Sequence, residues 1–245
     1  MAVTVMQRYE MKYLMDGKQT EYFRRVLEEH MQPDAYGLTS IASLYYDTPD
    51  ARLIRASLEK PAFKEKLRLR SYGIATQESP VFLELKRKYD GIVYKRRLEA
   101  TVPQVGDFFE GRPIPGGSAQ IQKELAFFRD FYRTLAPACL IIYDRTAYFE
   151  PGSDLRLTID DRPRYRTEDL TLTHSMDGIP LLDRGWTILE VKVQGAMPLW
   201  LSEVLSEGKI YRSSFSKYGE AYRQELLKKR ENTIRFAAAK LPGAA

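Results

Sequence analysis

The sequence predicts a mixed α+β protein built on an antiparallel, eight-stranded β-tunnel, that is, a closed barrel with amphipathic helices packed outside it. Several segments alternate charged and apolar residues with the period of two that a β-strand imposes. Other segments repeat apolar residues at helical spacing. With 245 residues, 44% of them hydrophobic, the chain has enough apolar material for a core. We expect a single domain over residues 1–230, because all-β barrels of this length are commonly one domain, and a flexible tail over residues 231–245.

Eight segments have the residue pattern of strands. They lie near residues 3–14, 39–47, 63–73, 80–89, 92–101, 138–149, 154–160 and 186–194. Strands of the same character occur on both sides of the Gly/Pro-rich loop at residues 111–117, so we do not interpret this loop as a domain boundary.

Four segments have the pattern of amphipathic helices. The first follows Asp16, a residue type that caps helices, and runs to about His30. The second follows Ser118 and carries an apolar stripe, and two more helices are expected near residues 198–207 and 217–230. Each apolar stripe needs a partner, and outward-facing apolar strand faces would provide one.

The charged faces of the predicted strands are rich in arginine and lysine. The residues that share a face are Arg8, Glu10 and Lys12; Lys66, Arg68 and Arg70; Glu84, Lys86 and Lys88; Arg156, Thr158 and Asp160; and Glu190, Lys192 and Gln194. For any one strand the ordinary interpretation is a solvated face opposite a core. If the apolar faces pack outward against the helices, however, the charged faces point inward. A charged interior in a narrow barrel requires a ligand of opposite charge, and a chain of phosphates with a metal fits this requirement.

Composition restricts the chemistry further. The net charge of +5 favours a polyanionic partner, without separating nucleic acid from nucleotides, phospholipid or polyphosphate. Cys139 is the single cysteine, which excludes an intrachain disulfide and a thiolate metal site. With two histidines in the chain, we expect any metal to be a hard cation bound by carboxylates and phosphate oxygens. The sequence lacks a GxxxxGK[ST] loop, so phosphates would not be bound as in P-loop proteins.

Two basic runs, at residues 86–88 and 95–97, are candidates for a nucleic-acid patch. Alternation places half of each run on each face of its strand, and no RNP-like motif accompanies them, so we predict no nucleic-acid partner. The N-terminus lacks the pattern of a secretory signal. No window approaches the ~20 apolar residues that span a bilayer. We therefore expect a cytoplasmic protein.

Six short motifs follow one another along the chain. They are RYEMKY (8–13), KLRLRSY (66–72), LELK (83–86), YDRTAY (143–148), ILEVK (188–192) and FSKY (215–218). Together they resemble the catalytic domain of the vacuolar transporter chaperone (VTC) polyphosphate polymerases, which belongs to the triphosphate tunnel metalloenzymes, also called CYTH-like proteins. The resemblance extends from about residue 6 to residue 228.

The resemblance implies an antiparallel tunnel that receives ATP and is threaded by inorganic polyphosphate. Cationic phosphate contacts are implied for Lys12, Arg68, Arg70, Lys86, Arg145, Arg156 and Lys217. Hydroxyl contacts are implied for Tyr143 and Ser216, and Mn²⁺ or Mg²⁺ binding for Glu190. By strand alternation we add Lys192, Lys66 and Lys88 as weaker candidates for phosphate contacts. Glu10 and Glu84 are acids that would offset positive charge or help to hold the metal.

The implied activity is that of a divalent-metal-dependent ATP:polyphosphate phosphotransferase, which transfers the γ-phosphate of ATP to a growing chain. Many tunnel triphosphatases begin with Glu-x-Glu-x-Lys, whereas this chain has Arg8-x-Glu10-x-Lys12, which favours the polymerase branch. Three alternatives stay open: a metal-dependent triphosphatase or polyphosphatase on the same fold, a non-catalytic polyphosphate or nucleotide sensor, and a nucleic-acid-binding barrel. The sequence contains neither the SPX domain nor the membrane segment attached to eukaryotic polymerases of this type. Docking at a membrane through a separate partner protein is therefore a hypothesis.

Overall fold

A computed structural model describes residues 9–90 and 92–239, with side chains described through residue 229. Its elements follow one another in the order β1 (Tyr9–Met15), α1 (Gly17–His30), β2 (Gln32–Pro33), β3 (Thr39–Asp47), α2 (Arg52–Leu58), β4 (Phe63–Tyr72), β5 (Val81–Tyr89), β6 (Ile92–Ala100), α3 (Val102–Phe109), α4 (Ala119–Tyr132), β7 (Ala136–Phe149), β8 (Arg156–Arg166), β9 (Ile179–Pro180), β10 (Thr187–Val193), α5 (Leu199–Glu207), β11 (Arg212–Ser213) and α6 (Lys217–Ala239). Arg8 and the rest of the strand predicted over residues 3–8 lie outside the described residues.

Each predicted strand corresponds to one of the longer strands, and the four predicted helices correspond to α1, α4, α5 and α6. The side chain of Asp16 caps α1 by accepting a hydrogen bond from the Gln19 N–H, and Ser118 caps α4 through the Ile121 N–H. Helix α6 continues to Ala239, so residues 231–239 of the predicted tail are helical, and residues 240–245 lie outside the description.

Two helices were not predicted. The N-cap residue of α2 is Ala51, whose side chain makes no capping hydrogen bond. Instead, the buried carboxylate of Asp47 accepts hydrogen bonds from the N–H groups of Leu53 and Ile54. Asp47 lies five residues before the helix begins, outside the N-cap position, so an N-cap motif does not reveal this contact. In contrast, α3 begins with a capping box between Thr101 and Gln104, a signal that is present in the sequence.

The strands form one antiparallel sheet in the order β11-β1-β10-β8-β7-β3-β4-β5-β6, with β2 paired to β7 and β9 to β8. The sheet has eleven strands, so the predicted count of eight is wrong. The three additional strands, β2, β9 and β11, are each two residues long and pair with a longer strand. The predicted closed barrel is also corrected, because no ladder among the described residues joins β6 to β11 or β1.

The open sheet is nevertheless strongly curled. Strands β1 and β5 are far apart in the sheet order, yet Lys86 Nζ on β5 lies 3.3 Å from Glu10 Oε2 on β1. Side chains of the charged face therefore meet across the opening of the curl. It follows that the charged face is the concave, inner one, as the sequence predicts.

The apolar strand faces are covered by four helices in two cores. On the β3–β6 half, Leu67, Leu83 and Leu140 pack with Phe108 of α3 and Phe128 of α4. On the other half, apolar residues of β1, β8 and β10 pack with α1 and α5; they include Met15, Leu157, Val191, Phe23, Leu27 and Leu201. Helices α1, α3, α4 and α5 thus lie outside the curl, as predicted for α1, α4 and α5.

Helix α6 departs from the predicted arrangement, because it packs on the concave side together with α2. Tyr218 and Ala221 of α6 and Ile54 of α2 share a third core with Ile41 and Ile141, which lie on the inner strand face. The ring of Tyr218 stacks on Tyr45 at a centroid distance of 4.6 Å. The prediction that all helices lie outside is therefore wrong. This packing places the first turn of α6 inside the curl. None of the helices in the described part of the chain is long and apolar enough to cross a membrane.

Candidate anion-binding site

Strand β4 provides a row of cations along the inner face. Its alternation places Lys64, Lys66, Arg68 and Arg70 on the concave side, with steps of about 6.6 Å between successive side chains. Leu67 and Leu69 point to the opposite, apolar side and are buried. Because these leucines fix the register of the strand against the outer core, the cations cannot turn outward without exposing the core.

The side chain of Glu84 on β5 organises the arginines of this row. Arg68 donates to Glu84 Oε2 from Nε at 2.8 Å, and Lys95 Nζ lies 2.7 Å from Oε1. Arg70 and Arg97 complete the group at 3.8 and 3.7 Å. We call these five residues the Glu84 cluster. Burial acts to raise the pKa of Glu84, but Arg68, Arg70 and Lys95 outweigh it and lower the pKa to about 2.

Hydroxyl groups hold the two arginines from the other side. Arg70 is buried and donates to Ser43 Oγ at 3.3 Å and to the Tyr143 hydroxyl at 3.2 Å. Arg68 donates to the Tyr45 hydroxyl at 3.2 Å. Burial acts to raise the pKa of each phenol, but nearby cations outweigh it and lower both, with Arg68 acting on Tyr45 and Arg145 on Tyr143. The arginines are thus fixed in position before any ligand binds.

A second buried carboxylate, Asp160 on β8, organises the opposite wall. Arg145 of β7 binds it in a bidentate manner, at 2.6 Å from Nε and 2.8 Å from the second guanidinium nitrogen. Lys217, the first residue of α6, donates to the same carboxylate. Arg145 also reaches Glu190 Oε2 at 3.4 Å. We call these four residues the Asp160 cluster. Asp160 is completely buried; burial acts to raise its pKa, but Lys217 and Arg145 hold it below the ordinary value.

Glu190 on β10 connects the Asp160 cluster to strand β1. Its register partner on β1 is Lys12, and Lys192 Nζ lies 3.3 Å from Glu190 Oε1. Burial acts to raise the pKa of Glu190, but Lys192, Lys12 and Arg145 hold it well below the ordinary value. Glu10 is a further cause that lowers the pKa of Glu190, through a hydrogen bond, and its Oε1 lies 3.8 Å from Lys12 Nζ. For Lys12, burial acts to lower the pKa, but Glu190 and Glu10 raise it above the ordinary value.

One part of the inner face is a concentration of lysines. Lys64 and Lys88 are direct register partners, and so are Lys66 and Lys86. We call these four the lysine group. Burial, followed by the charge of Lys12 and of neighbouring lysines, lowers the pKa of Lys66 to about 7. In the described part of the chain no carboxylate pairs with Lys66, whose ammonium donates to Ser216 Oγ at 3.3 Å.

The structure brings most of the predicted site residues together on the concave face. The residues that lie in the clusters above or contact them are Glu10, Lys12, Lys66, Arg68, Arg70, Glu84, Lys86, Tyr143, Arg145, Glu190, Lys192, Ser216 and Lys217. Lys88 lies at the exposed end of the lysine group. Arg156 is apart: its guanidinium donates to the backbone oxygens of Ser153 and Leu155 near the rim. The roles of all these residues in binding and catalysis remain predictions.

Sequence reasoning missed four contributors. Asp160 lies on a charged strand face named above, and Lys95 and Arg97 alternate in the same way on β6, so alternation was a signal for all three. Arg96, between the last two, points outward and binds Glu124 at 3.0 Å. Tyr45 carried no comparable signal, because the sequence of β3 has the pattern of an apolar strand. The contact becomes visible only when Tyr45 is seen to pair with Arg68 of β4.

The acidic groups fit a hard divalent cation only in part. Among the residues that the structure describes, no three His, Cys, Asp or Glu side chains converge as a metal cage. The adjacent carboxyl groups of Glu10 and Glu190 are, however, a donor pair of the kind that Mg²⁺ uses when substrate phosphates supply its other ligands. Both histidines lie elsewhere, His30 stacked on Trp200 and His174 bound to Asp169.

A curled antiparallel sheet whose inner face carries lysines and arginines, positioned by a few buried acids, has the charge and shape to bind a polyanion such as a chain of phosphates. The comparison with protein families agrees and is more specific: the VTC domain family matches residues 7–226. The chain therefore belongs to the VTC domain family. No curated protein matches the sequence.

Solved structures share the architecture at low sequence identity. A candidate adenylate cyclase of Bacillus halodurans superposes over 86% of this chain and 96% of its own, with 15% identity and a TM-score of 0.53. A candidate adenylyl cyclase of Hippeastrum, described as having a dominant triphosphatase activity, covers 87% of this chain and 93% of its own, with 17% identity and a TM-score of 0.46. The first similarity supports the fold alone.

Proposed function

We propose that the concave face binds the phosphates of ATP and of inorganic polyphosphate, and that the protein is a polyphosphate polymerase. The observation that carries the proposal is Lys66, a half-buried lysine among other cations with no carboxylate partner in the described part of the chain. An ammonium that is partly removed from water and not neutralised is costly. An anionic ligand would remove that cost, and a linear phosphate chain fits a row of cations that follows one strand.

The two carboxylate clusters supply fixed hydrogen-bond donors for the reacting phosphates. We assign Arg68, Arg70, Lys12 and Lys86 to the β- and γ-phosphates of ATP. Arg145 and Lys217 would screen the repulsion between the nucleotide and the end of the growing chain. Because Glu84 and Asp160 already hold the guanidinium groups, little reorganisation is needed when charge develops in the transition state.

In the proposed reaction, an oxygen of the terminal phosphate of the chain attacks the γ-phosphorus of ATP. The bond from the γ-phosphorus to the β–γ bridging oxygen breaks, and its electron pair leaves with ADP. The attacking oxygen is already anionic at neutral pH, so no general base is required. This agrees with the positions of His30 and His174 outside the site. Positioning and charge neutralisation would supply most of the acceleration.

We assign a bound Mn²⁺ or Mg²⁺ to Glu190, with Glu10 as its neighbour. When bound there, the ion would neutralise charge on the phosphate oxygens. The membership of the VTC domain family and the cation-rich inner face support a phosphate-handling enzyme. The choice of polymerase over hydrolase rests on the Arg8-x-Glu10-x-Lys12 motif, of which Arg8 lies outside the described residues.

The proposal is tested by incubating the purified protein with ATP and Mn²⁺ and following polyphosphate on a gel and free phosphate in solution. An Arg68→Ala, Arg70→Ala double variant should lower turnover by two or more orders of magnitude, because each charge-assisted contact contributes ~1.5–3 kcal/mol and ~1.4 kcal/mol is tenfold in rate. Arg112→Ala is the matched control, because Arg112 is exposed and its ion pairs among the described residues are with Asp107 and Glu110.

The products separate the alternatives. Polyphosphate that forms with the wild type and the control, but not with the double variant, supports the polymerase. Free phosphate without chain growth would reassign the protein as a metal-dependent triphosphatase. Tight binding of tripolyphosphate with neither product would reduce it to a binding module.

A further inference from the structure

The inner face changes its chemistry along strand β4. Lys64 lies near one end of the strand, opposite Lys88. The buried Arg70 lies four residues after Lys66, and Tyr72 is the next residue that points inward. The cationic row therefore has a lysine-rich end at Lys64 and an aromatic end at Tyr72, about 26 Å apart at ~3.3 Å per residue.

The aromatic end is formed by three residues from three adjacent strands. Phe82 of β5 is the register partner of Arg70, and Arg97 of β6 is the register partner of Glu84, so both lie on the inner face. The rings of Tyr72 and Phe82 meet edge to face at a centroid distance of 5.8 Å. We call Tyr72, Phe82 and Arg97 the ring cluster.

Arg97 holds the ring cluster in place. Its guanidinium carbon lies 3.6 Å from the centroid of Phe82 and 5.9 Å from that of Tyr72. It also donates to the Tyr72 hydroxyl at 3.3 Å and stays within 3.7 Å of Glu84. Arg97, a member of the Glu84 cluster, thus orients the phenol of Tyr72. Nevertheless 48% of Tyr72 is exposed, so the ring retains free surface.

An exposed aromatic ring beside an arginine is the kind of surface on which a nucleobase stacks. Tyr72 lies one inward step of about 6.6 Å beyond Arg70. A ribose and its first phosphate would span such a distance between a stacked base and the phosphates at Arg68 and Arg70. Among the described residues, the lysine-rich end has no comparable ring on the inner faces of β4 and β5, where the inward residues are Lys64, Lys66, Lys86 and Lys88.

We propose that the ring cluster is a nucleobase subsite, so that ATP binds with its base at Tyr72 and the polyphosphate chain extends toward the lysine group. This inference rests on the proposed function, since it concerns the nucleotide of the same site. Stacking on a ring is tolerant of base identity, so the subsite would accept other purine nucleoside triphosphates as well.

Calorimetric titration of the protein with ATP and with tripolyphosphate tests the subsite without requiring turnover. Tyr72→Ala should raise the Kd for ATP about tenfold, because one base–aromatic stack is lost. The Kd for tripolyphosphate, which has no base, should stay within about twofold. Tyr72→Phe retains the ring and should restore most of the ATP affinity, which separates stacking from a disturbed fold.

Tyr89→Ala is the matched control, because Tyr89 is an exposed tyrosine at the opposite end of the same pair of strands. It should change neither affinity. An unchanged ATP affinity in Tyr72→Ala would overturn the subsite while leaving the proposed function intact, and so would equal losses for ATP and tripolyphosphate. If wild-type protein binds neither ligand, the proposed function fails and the subsite fails with it.

Discussion

The Asp160 cluster and the lysine group lie on the same concave face but handle positive charge in opposite ways. Asp160 is completely buried and binds Arg145 and Lys217 directly, with Glu190 beside them. The lysine group has Glu10 near Lys86, whereas Lys66 has no carboxylate partner within the described residues. Both regions lie on strands that alternate charged and apolar residues.

The difference indicates that paired and unpaired cations on this face have different effects on stability and on binding. A cation that is paired with a buried acid is held in one geometry and costs little in the ligand-free protein. A cation without an acid is destabilising until an anion arrives, and it then contributes most to binding. We therefore expect the Asp160 cluster to determine stability and positioning, and the lysine group to determine affinity for phosphate chains.

The largest expected effect comes from removing the acid of the neutralised region. Asp160→Asn leaves Arg145 and Lys217, whose side chains are only 16% and 12% exposed, without their principal counterion, which should lower the free energy of unfolding by about 3–5 kcal/mol. Denaturant unfolding of the ligand-free protein measures it. Asp130→Asn serves as control, because Asp130 is an exposed partner of Arg129 and such pairs contribute less than about 1 kcal/mol. Equal losses in the two variants would contradict the comparison.

A second effect is the acid sensitivity of the Glu84 cluster. The pKa of Glu84 is lowered from 4.5 to about 2, so the unfolded chain binds the proton more readily than the folded protein. The stabilisation is complete above pH 4.5, is lost as the pH falls toward 2, and amounts to about 3 kcal/mol. Denaturant midpoints measured across this range should fall more steeply for the wild type than for Glu84→Gln. Parallel curves would show that Glu84 is not the titrating group.

The lysine group can be tested by a variant whose effects on stability and binding have opposite signs. Lys66→Met removes a half-buried cation that lacks an acid, so it should raise the thermal midpoint of the ligand-free protein below pH 7, where Lys66 is charged. It should also weaken tripolyphosphate binding about tenfold or more. Lys18→Met, at an exposed position on α1, should change neither quantity. A Lys66→Met protein that is less stable and binds equally well would refute the assignment.

The smallest expected effect is a proton taken up on binding. The pKa of Lys66 is about 7 in the free protein, against 10.5 ordinarily, so between these values the folded chain holds fewer protons than the unfolded one and its stability rises with pH. A bound polyanion would raise that pKa again, so binding near pH 8 should take up a fraction of one proton, and affinity should fall as the pH rises. Calorimetry in buffers of different ionisation enthalpy measures the uptake, which should disappear in Lys66→Met. Identical uptake in both proteins would assign the proton to another group.

Much of the concave face could be predicted because strand alternation is a local rule. Leu67 and Leu69 need the outer core, so Lys66, Arg68 and Arg70 face inward whatever the rest of the fold does. The same rule holds for Glu84 and Lys86. It was applied incompletely to β6, where Lys95 and Arg97 join Glu84 while Arg96 turns to Glu124.

Other features depend on contacts between residues that are distant in sequence. The sequence could not show that Asp160 neutralises Arg145 and Lys217, because three separate elements must meet to bring them together. Nor could it place α6 on the inner side, which depends on Tyr218 reaching Tyr45 and Asp47. Ring contacts such as Arg97 with Phe82 and Tyr72 likewise require the order of β4, β5 and β6.

The sequence by itself determined the type of each long element, the face on which each strand carries its charges and, through six ordered motifs, the family. These properties follow from the periods of the helix and strand and from residues close together in the chain. Only the tertiary structure decided that the sheet is an open curl, which cations are neutralised by buried acids, and that Lys66 is not. Charge balance is a property of distance and burial, and both are fixed only when remote segments pack together.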